Sequence, residues 1–473
     1  RNKIINPLGH GYIITPNALL DPAGQLWERR FDKKNRLTKV IAPTGAIWSF
    51  DYDESGNLIK ITDPNGAYKE QEFSRQGILT KSTDWEGHPT YYRTDDLGRV
   101  VLRQNADYNN VYFEYDRLGN PTKITLPDQN QIFAQYDCDN NLTALTNAIG
   151  QTHYWKYSTC KRLLKTTDPL KQTVHYHWGS EHDILEAITN EKGEFCHFTY
   201  NPAEQLEEQT GFDGRSLKWV YDPRTGELIK TINGLWQETT YKRDALGRVI
   251  EKKLPDGIAE RFEYDPNGNL IAAINPDCTV TLERDAFGRI IQETQDDFVI
   301  KHQYDQVGNL IHTETNLGTW IDSDYDGNGA ITRLNFGDQN QFDWKRNALG
   351  QEIERTIPGG SRLFQKYNQI GRLTEQQLIE EGKKPLPKAY YNHEGSEPTL
   401  IERVYQYDQI ANLITIDDQE RGKTYYTYDL ADHLLKTQRQ PGIEEEFAYP
   451  NPPSNFFINL VVIVSSYGYN ILW

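Results

Sequence analysis

The sequence predicts an all-β fold, a coiled antiparallel sheet, and three observations carry the prediction. A seven-residue signature returns about every 21 residues, side chains alternate ahead of each signature, and a second turn signal closes most units. The signature reads aromatic, Asp, any, any, Gly, Asn or Arg, Leu. Its first residue falls at Phe31, Tyr52, Phe73, Thr94, Tyr115, Tyr136, Tyr157, Trp178, Tyr200, Tyr221, Arg243, Tyr264, Arg284, Tyr304, Tyr325, Arg346, Tyr367, Tyr407 and Tyr428.

Each position has a physical reason. The residue after the start is Asp or Asn in 16 of the 19 units, and the residue four after the start is Gly in 11. Asn35 and Asn140 fill two more of the Gly slots. A short polar side chain that caps a backbone N–H two residues on, followed by a residue that accepts positive φ, is the chemistry of a tight turn. Hairpins with a type I turn and a glycine bulge require this order. The residues expected to hold these turns include Tyr52, Asp53 and Gly56; Tyr115, Asp116 and Gly119; Tyr264, Asp265 and Gly268; and Tyr304, Asp305 and Gly308. Two places past the Gly slot an aliphatic residue returns, as at Leu58, Leu270 and Leu310, so the outgoing strand resumes burial at a fixed point.

Before each turn Trp48, Phe50 and Tyr52 share one face, as do Val111, Phe113 and Tyr115. Period two means strand. Second turns stand at Asp63-Pro64-Asn65-Gly66, Pro127-Asp128, Pro255-Asp256-Gly257 and Pro358-Gly359-Gly360. Each unit is therefore strand, turn, strand, turn. Nineteen units give roughly 38 strands, which at about 4.8 Å spacing extend on the order of 180 Å; closed into a ring they would span roughly 60 Å. Twist forces such a ribbon to coil. Side chains cannot fill the interior, so the expected object encloses a cavity or part of one.

Composition narrows the function. Hydrophobic residues make up 37%, and Tyr (29) exceeds Phe (17), as suits a sheet wet on both faces. A net charge of −17 with no basic stripe disfavours nucleic acid as a partner. Cys138, Cys160, Cys196 and Cys278 lie far apart with no CxxC, so they offer no zinc site and no disulfide framework. With no Met and a start in mid-pattern, the chain reads as a piece of a longer protein.

The rhythm defines three regions: an incoming repeat-like segment over 1–30, the repeat sheet over 31–449, and a divergent tail over 450–473. An irregular loop is expected at about 376–404, around Gly382-Lys383-Lys384-Pro385-Leu386-Pro387, with Tyr391-Asn392 and Gly395 as a degenerate unit. In the tail the run Phe456 to Val464 is shorter than the about 20 residues a membrane helix needs. It fits a strand of a following domain, a plug or a truncated end.

The units YDPNGNL (Tyr264 to Leu270), YDQVGNL (Tyr304 to Leu310), YDRLGN (Tyr115 to Asn120) and YDESGNL (Tyr52 to Leu58) resemble the YD repeats of the Rhs family. The resemblance runs from about Phe31 to Tyr449. It implies a hollow β-cocoon that in bacteria encloses a C-terminal toxin, in type VI secretion effectors, toxin-complex C components or wall-associated contact-inhibition proteins. Teneurins carry a similar shell for cell adhesion. The implied role is a non-catalytic shell without cofactor, made in the bacterial cytoplasm and secreted or injected into a target cell in bacterial competition. The implied partners are its own or a cleaved toxin domain, secretion-spike proteins and chaperones. The family's core signature, with a DPxG motif near the cargo boundary, is absent downstream of Tyr428. Asp21-Pro22, Asp222-Pro223 and Asp265-Pro266 lie in ordinary repeats, so autoproteolysis is assigned to no residue.

Other chemistry competes with turn formation and loses. Asp324-Tyr325-Asp326-Gly327-Asn328-Gly329 looks most like a calcium loop but lacks the bidentate Glu beyond the Gly. His175, His177 and His197 sit where neighbouring strands could stack imidazoles, whereas His153 belongs on the opposite face; ordinary sheet histidines are the simpler reading. No GxSxG, HExxH or P-loop occurs. Asp95-Asp96 and Asp417-Asp418 point to opposite faces and make no acid–base pair. Trp48, Trp155, Trp178, Trp219 and Trp344 form columns suited to sugars or, more simply, to holding strands together. Besides the toxin shell, two readings stand: an adhesion scaffold, and a carbohydrate-processing repeat enzyme, which would need converging carboxylates.

Overall fold

The computed structural model describes residues 2–179, 184–337, 340–382, 401–440 and 442–447. Among them every regular element is a β-strand. Forty-two strands, from Asn2–Ile5 to Ile443–Glu446, make up an antiparallel sheet. Strands pair in chain order, as when Ile47–Tyr52 pairs with Leu58–Thr62, which pairs with Tyr68–Phe73.

The signature closes the hairpins as its chemistry requires. Asp53 donates its N–H to the Asn57 carbonyl, and Gly56 donates to the Asp53 carbonyl. The register shifts between Asp51 and Tyr52, and likewise at Glu114/Tyr115, Glu263/Tyr264 and Gln303/Tyr304. That is a bulge in each repeat, which bends and twists the ribbon. The second turns use the same bonds, as at Asp63–Ala67 and Gly66–Asp63.

The contacts divide the chain into two compact units, Arg1–Thr90 with Phe198–Asp343, and Tyr91–His197 with Trp344–Trp473. Strands Asn2–Ile5, Gly11–Ile14, Ala18–Leu20 and Leu26–Phe31 run through the first thirty residues. At the irregular segment, Leu373–Ile379 pairs with Ile401–Tyr407 through Leu378↔Ile401, so strand extends into both ends of the expected 376–404 loop. Lys383 to Pro387, the Tyr391-Asn392 unit with Gly395, and the tail 450–473 lie outside the described residues.

Burial is shallow. The buried apolar residues include Ala42, Ala46, Ala144, Ala187 and Cys196, and the largest fully buried side chain among the described residues is Ile379. Alternation gives the ribbon two unlike faces. The first carries the aromatic positions, such as Trp48, Phe50 and Tyr52, half-buried. The second carries cross-strand ion pairs such as Lys60–Glu70 at 3.1 Å, Lys81–Glu72 at 2.7 Å and Lys123–Glu114 at 2.9 Å. Such exposed pairs stabilise by less than about 1 kcal/mol each. Strand pairing and turn geometry, rather than one dense core, hold the ribbon.

Candidate functional site

The repeated unit is the turn, and its Asp is the hub. Asp116 Oδ1 accepts the backbone N–H of Leu118 and of Asn120, both at 2.9 Å, while Oδ2 accepts the Asn120 amide at 2.9 Å. Asp53 and Asp265 use Asn57 and Asn269 in the same way, each bond 2.8 Å. Asp305 accepts from Val307, Gly308 and Asn309. The side-chain amide of Asn57 holds the Asp53 carboxyl below its ordinary range, and Asn120 does the same to Asp116. Burial pushes Asp305 up, but hydrogen bonds from Asn309, Asn65 and Gly308 outweigh it and its pKa is lowered.

Gly56, Gly119, Gly268 and Gly308 have φ of 98°, 94°, 92° and 110°. The demand is on the backbone and not on glycine as such. Lys161, Glu204, Ala411 and Asp432 occupy the same slot at φ of 60° to 69°.

The aromatic start has a polar task. Tyr52, Tyr115, Tyr264 and Tyr304 donate their hydroxyls to the carbonyls of Leu37, Val100, Val249 and Ile290, at 2.7 to 2.9 Å. Each acceptor belongs to the residue that leaves the preceding turn. Where the sequence has Trp178, Arg243 or Arg284 instead, a ring or guanidinium N–H makes the equivalent bond, to Leu163, Leu228 and Leu270. Phe31, Phe73 and Thr94 fill the start without such a donor, so the donor rule holds at most of the tyrosines and at these three substitutes, and the sequence shows it only as aromatic with exceptions.

The sixth signature position ties neighbouring turns together. Arg99 clamps Asp95 with Nε at 2.7 Å, donates Nη1 to the Asp116 carbonyl at 3.0 Å, and lies over the Tyr115 ring at 4.8 Å. Arg36 and Arg289 repeat the pattern on Asp53 and Asp305. The Asn variant reaches across too, as Asn120 does to Asn140 at 2.9 Å.

A second contact row, illegible in the sequence, lies inside unit 1. Second turns of its first run meet signature turns of its other run, some 240 residues on. Asn267 bonds Ala23 and Asp21, Asn65 bonds Asp305 at 2.9 Å, and Asn328 bonds Trp85 and Asp84. Gly327 N–H donates to Glu86. Phe287, at a turn tip, packs edge-on against Trp27 and Trp48 at 5.3 and 6.4 Å, beside a cavity of about 460 Å³. Unit 2 has the same kind of contact, Asn130 to the Gln409 carbonyl at 2.8 Å. In unit 1 the third turn residue makes the seam, a role that the pattern leaves as "any".

The competing chemistry finds little support. The Asp324–Gly329 stretch forms a turn capped by Asp326 and commits Asn328 to the seam. Phe195 stands between the histidines, 5.8 Å from His177 and 5.4 Å from His197, so the competing imidazole stack is interrupted. Asp95 caps its turn and Asp418 pairs with Arg403 at 2.6 Å, so neither serves a carboxylate pair. Among the described residues no group of three or more His, Cys, Asp or Glu is placed to hold a metal, and no helix is long and apolar enough to cross a membrane.

Comparison with known families decides the assignment. The Teneurin YD-shell model matches residues 89–237 and 227–344, more than half of the chain, and the RHS Repeat model matches 31–68 and 52–89. The chain belongs to the Rhs/YD-repeat family. This YD-repeat chain is 25% identical over 283 residues to Double-stranded DNA deaminase toxin A of Burkholderia cenocepacia, covering 53% of the chain and 18% of that protein. It is 25% identical over 226 residues to Toxin protein Tse5 of Pseudomonas aeruginosa, covering 44% of the chain and 16% of that protein. The YD-repeat chain thus spans less than a fifth of either relative. A crystal structure of TcdB2-TccC3 shares the fold, with TM-score 0.54 at 12% identity over 89% of this chain and 28% of that one.

Proposed function

We propose that this chain is part of the structural shell of a bacterial Rhs-type toxin, enclosing and carrying a toxic C-terminal domain for delivery into another cell. The observation that carries the reading is the seam. Turns far apart in the chain are joined by amide–carboxylate bonds and an aromatic contact, so the meander makes a wall rather than a loose ribbon. Two relatives are toxins by name, which supports a toxin as the cargo. The mechanism is confinement: the wall keeps the cargo from its target until it opens or the chain is cut. The shell itself performs no catalysis and takes no cofactor. Its partners are the enclosed toxin domain, the secretion-spike proteins that carry it and chaperones; it is made in the bacterial cytoplasm and then secreted or injected.

An adhesion scaffold is the second reading, favoured by the match to the Teneurin YD-shell model. Single-particle imaging of the full-length gene product, with intact-mass analysis, separates them. A closed shell with density inside and a released C-terminal fragment supports the toxin carrier. An empty shell with an uncut chain supports the scaffold, and an open solenoid removes confinement.

A further inference from the structure

At one place the seam of unit 1 is built from rings. The column four residues before the signature start holds Trp in the first two units alone, Trp27 and Trp48, and the fourth signature position holds an aromatic residue in one unit alone, Phe287. The fold brings these three together although they belong to different runs, with Phe287 edge-on to both indoles at interplanar angles of 82° and 78°. One repeat on, Lys69 and Gln71 stand where this repeat has Trp48 and Phe50, so strand pairing does not call for the rings. Rings gathered only to close the seam would pack to the density of a protein interior. Here they border a cavity of about 460 Å³, walled by Trp27, Val40, Trp48 and Phe50 on one run and by Phe287 and Val307 on the other.

We infer that this cavity is a binding site for a small, neutral, planar aromatic molecule of about the size of indole. Its volume falls within the range of about 300–1,000 Å³ in which proteins hold small ligands, and apolar cavities of about 150 Å³ already take benzene. Ring faces and edges on both runs let a planar guest stack or pack edge-on, the arrangements that aromatic pairs favour. An aliphatic chain would gain the burial but not that geometry. Because the walls come from both runs, a guest is held only while the seam is closed, and its binding stabilises that closed state.

The polar groups of the lining select a neutral guest. Arg289 is its one charged side chain, and the guanidinium is already committed: Nε and Nη2 lie 2.7 and 2.6 Å from Asp285 Oδ2, and Nη1 donates to the Asp305 carbonyl at 3.2 Å. The planar group lies over the Phe287 and Tyr304 rings at 4.8 and 4.5 Å, so it serves as wall rather than anion receptor. A carboxylate guest would lose its hydration without gaining a cation of its own. Gln306, exposed at the mouth, offers one amide oxygen to a ring N–H. An indole carried on a polypeptide brings backbone amides as well, which a lining with so few polar groups leaves unpaired.

Isothermal titration of the full 473-residue chain with indole tests this, beside indole-3-acetate, N-acetyltryptophanamide and 1-octanol as the charged, peptide-borne and aliphatic counterparts. Indole is expected to bind at one site per chain and to raise the thermal midpoint in a saturable way, with each counterpart at least about ten-fold weaker. Val307→Trp, which puts a ring of the chain's own into the cavity, should weaken indole roughly ten-fold or more. Phe287→Leu, which keeps the seam apolar but removes one ring, should weaken it about three-fold and decides the matter if Val307→Trp lowers the midpoint of the free chain. Leu246→Trp, at a signature turn outside the lining, should bind like the unaltered chain. The assignment is overturned if indole does not bind, if Val307→Trp and Phe287→Leu bind it as tightly as the unaltered chain, or if any of the three counterparts binds as tightly as indole.

Discussion

Tyr112 and Tyr115 belong to one strand, Asn110–Tyr115, and meet opposite fates. Tyr115 is half-buried, donates to the Val100 carbonyl at 2.7 Å and lies under the Arg99 guanidinium. Burial pushes its hydroxyl pKa up. Tyr112, on the other face, is 38% exposed and accepts one bond at its hydroxyl, from the Asn110 amide at 3.2 Å. The comparison separates what the repeat needs from what one stretch of it adds. A ring at the start builds the wall, and a ring three residues earlier decorates it.

The largest expected effect comes from truncating each ring in turn. Tyr115→Ala removes a half-buried ring and leaves the Val100 carbonyl without its donor, which should destabilise by about 2–3 kcal/mol. Tyr112→Ala should stay within about 0.5 kcal/mol. Urea unfolding of the two variants measures the difference directly, and equal losses would erase the distinction between the columns.

Backbone strain in the same turn comes next. Gly119 has φ of 94°, and no atom lies within 4 Å of the point a Cβ would occupy, so Gly119→Ala meets no steric neighbour and its cost is that of the dihedral alone. The expected loss is about 1–2 kcal/mol. Glu204→Gly, at a slot held at φ 60°, should move the other way by up to about 1 kcal/mol. Unfolding midpoints that ignore both changes would mean that the turn does not store this strain.

Smaller still is the hydroxyl. Tyr115→Phe keeps the ring and removes one hydrogen bond, so about 1 kcal/mol should be lost, whereas Tyr112→Phe should be silent in unfolding. A silent Tyr115→Phe would reduce the start position to plain hydrophobic packing.

How far these roles were legible follows from where each is encoded. The strand pairs, both turn rows and the Asp and Gly functions are local, so spacing alone revealed them at Asp53–Gly56 and Asp116–Gly119. The donor rule at the start was hidden because Arg243 and Arg284 look like lapses from an aromatic pattern until their N–H groups are seen on Leu228 and Leu270. The seam was hidden for a different reason. Which second turn meets Asn267 or Asn328 depends on how the ribbon accumulates twist and bulge over some 240 residues, and no local pattern holds that sum.

The last effect separates charge from ring. Hydrogen bonds from the Asn120 side chain and from the Asn120, Leu118 and Gly119 backbone hold the Asp116 pKa below its ordinary value. A group with a lowered folded-state pKa contributes stability above the unfolded value, about 3.9, and loses it as pH falls through that value toward the folded one. Asp116→Asn keeps an oxygen for the turn but has no charge to lose. The difference in unfolding midpoint between the unaltered chain and Asp116→Asn should therefore be constant from about pH 7 to pH 5 and shrink toward pH 3. Over the same range the small difference caused by Tyr112→Ala should not change, since that ring neither caps the turn nor touches Asp116. An Asp116→Asn difference that stayed constant down to pH 3 would show that the turn needs the shape of this side chain and not its charge.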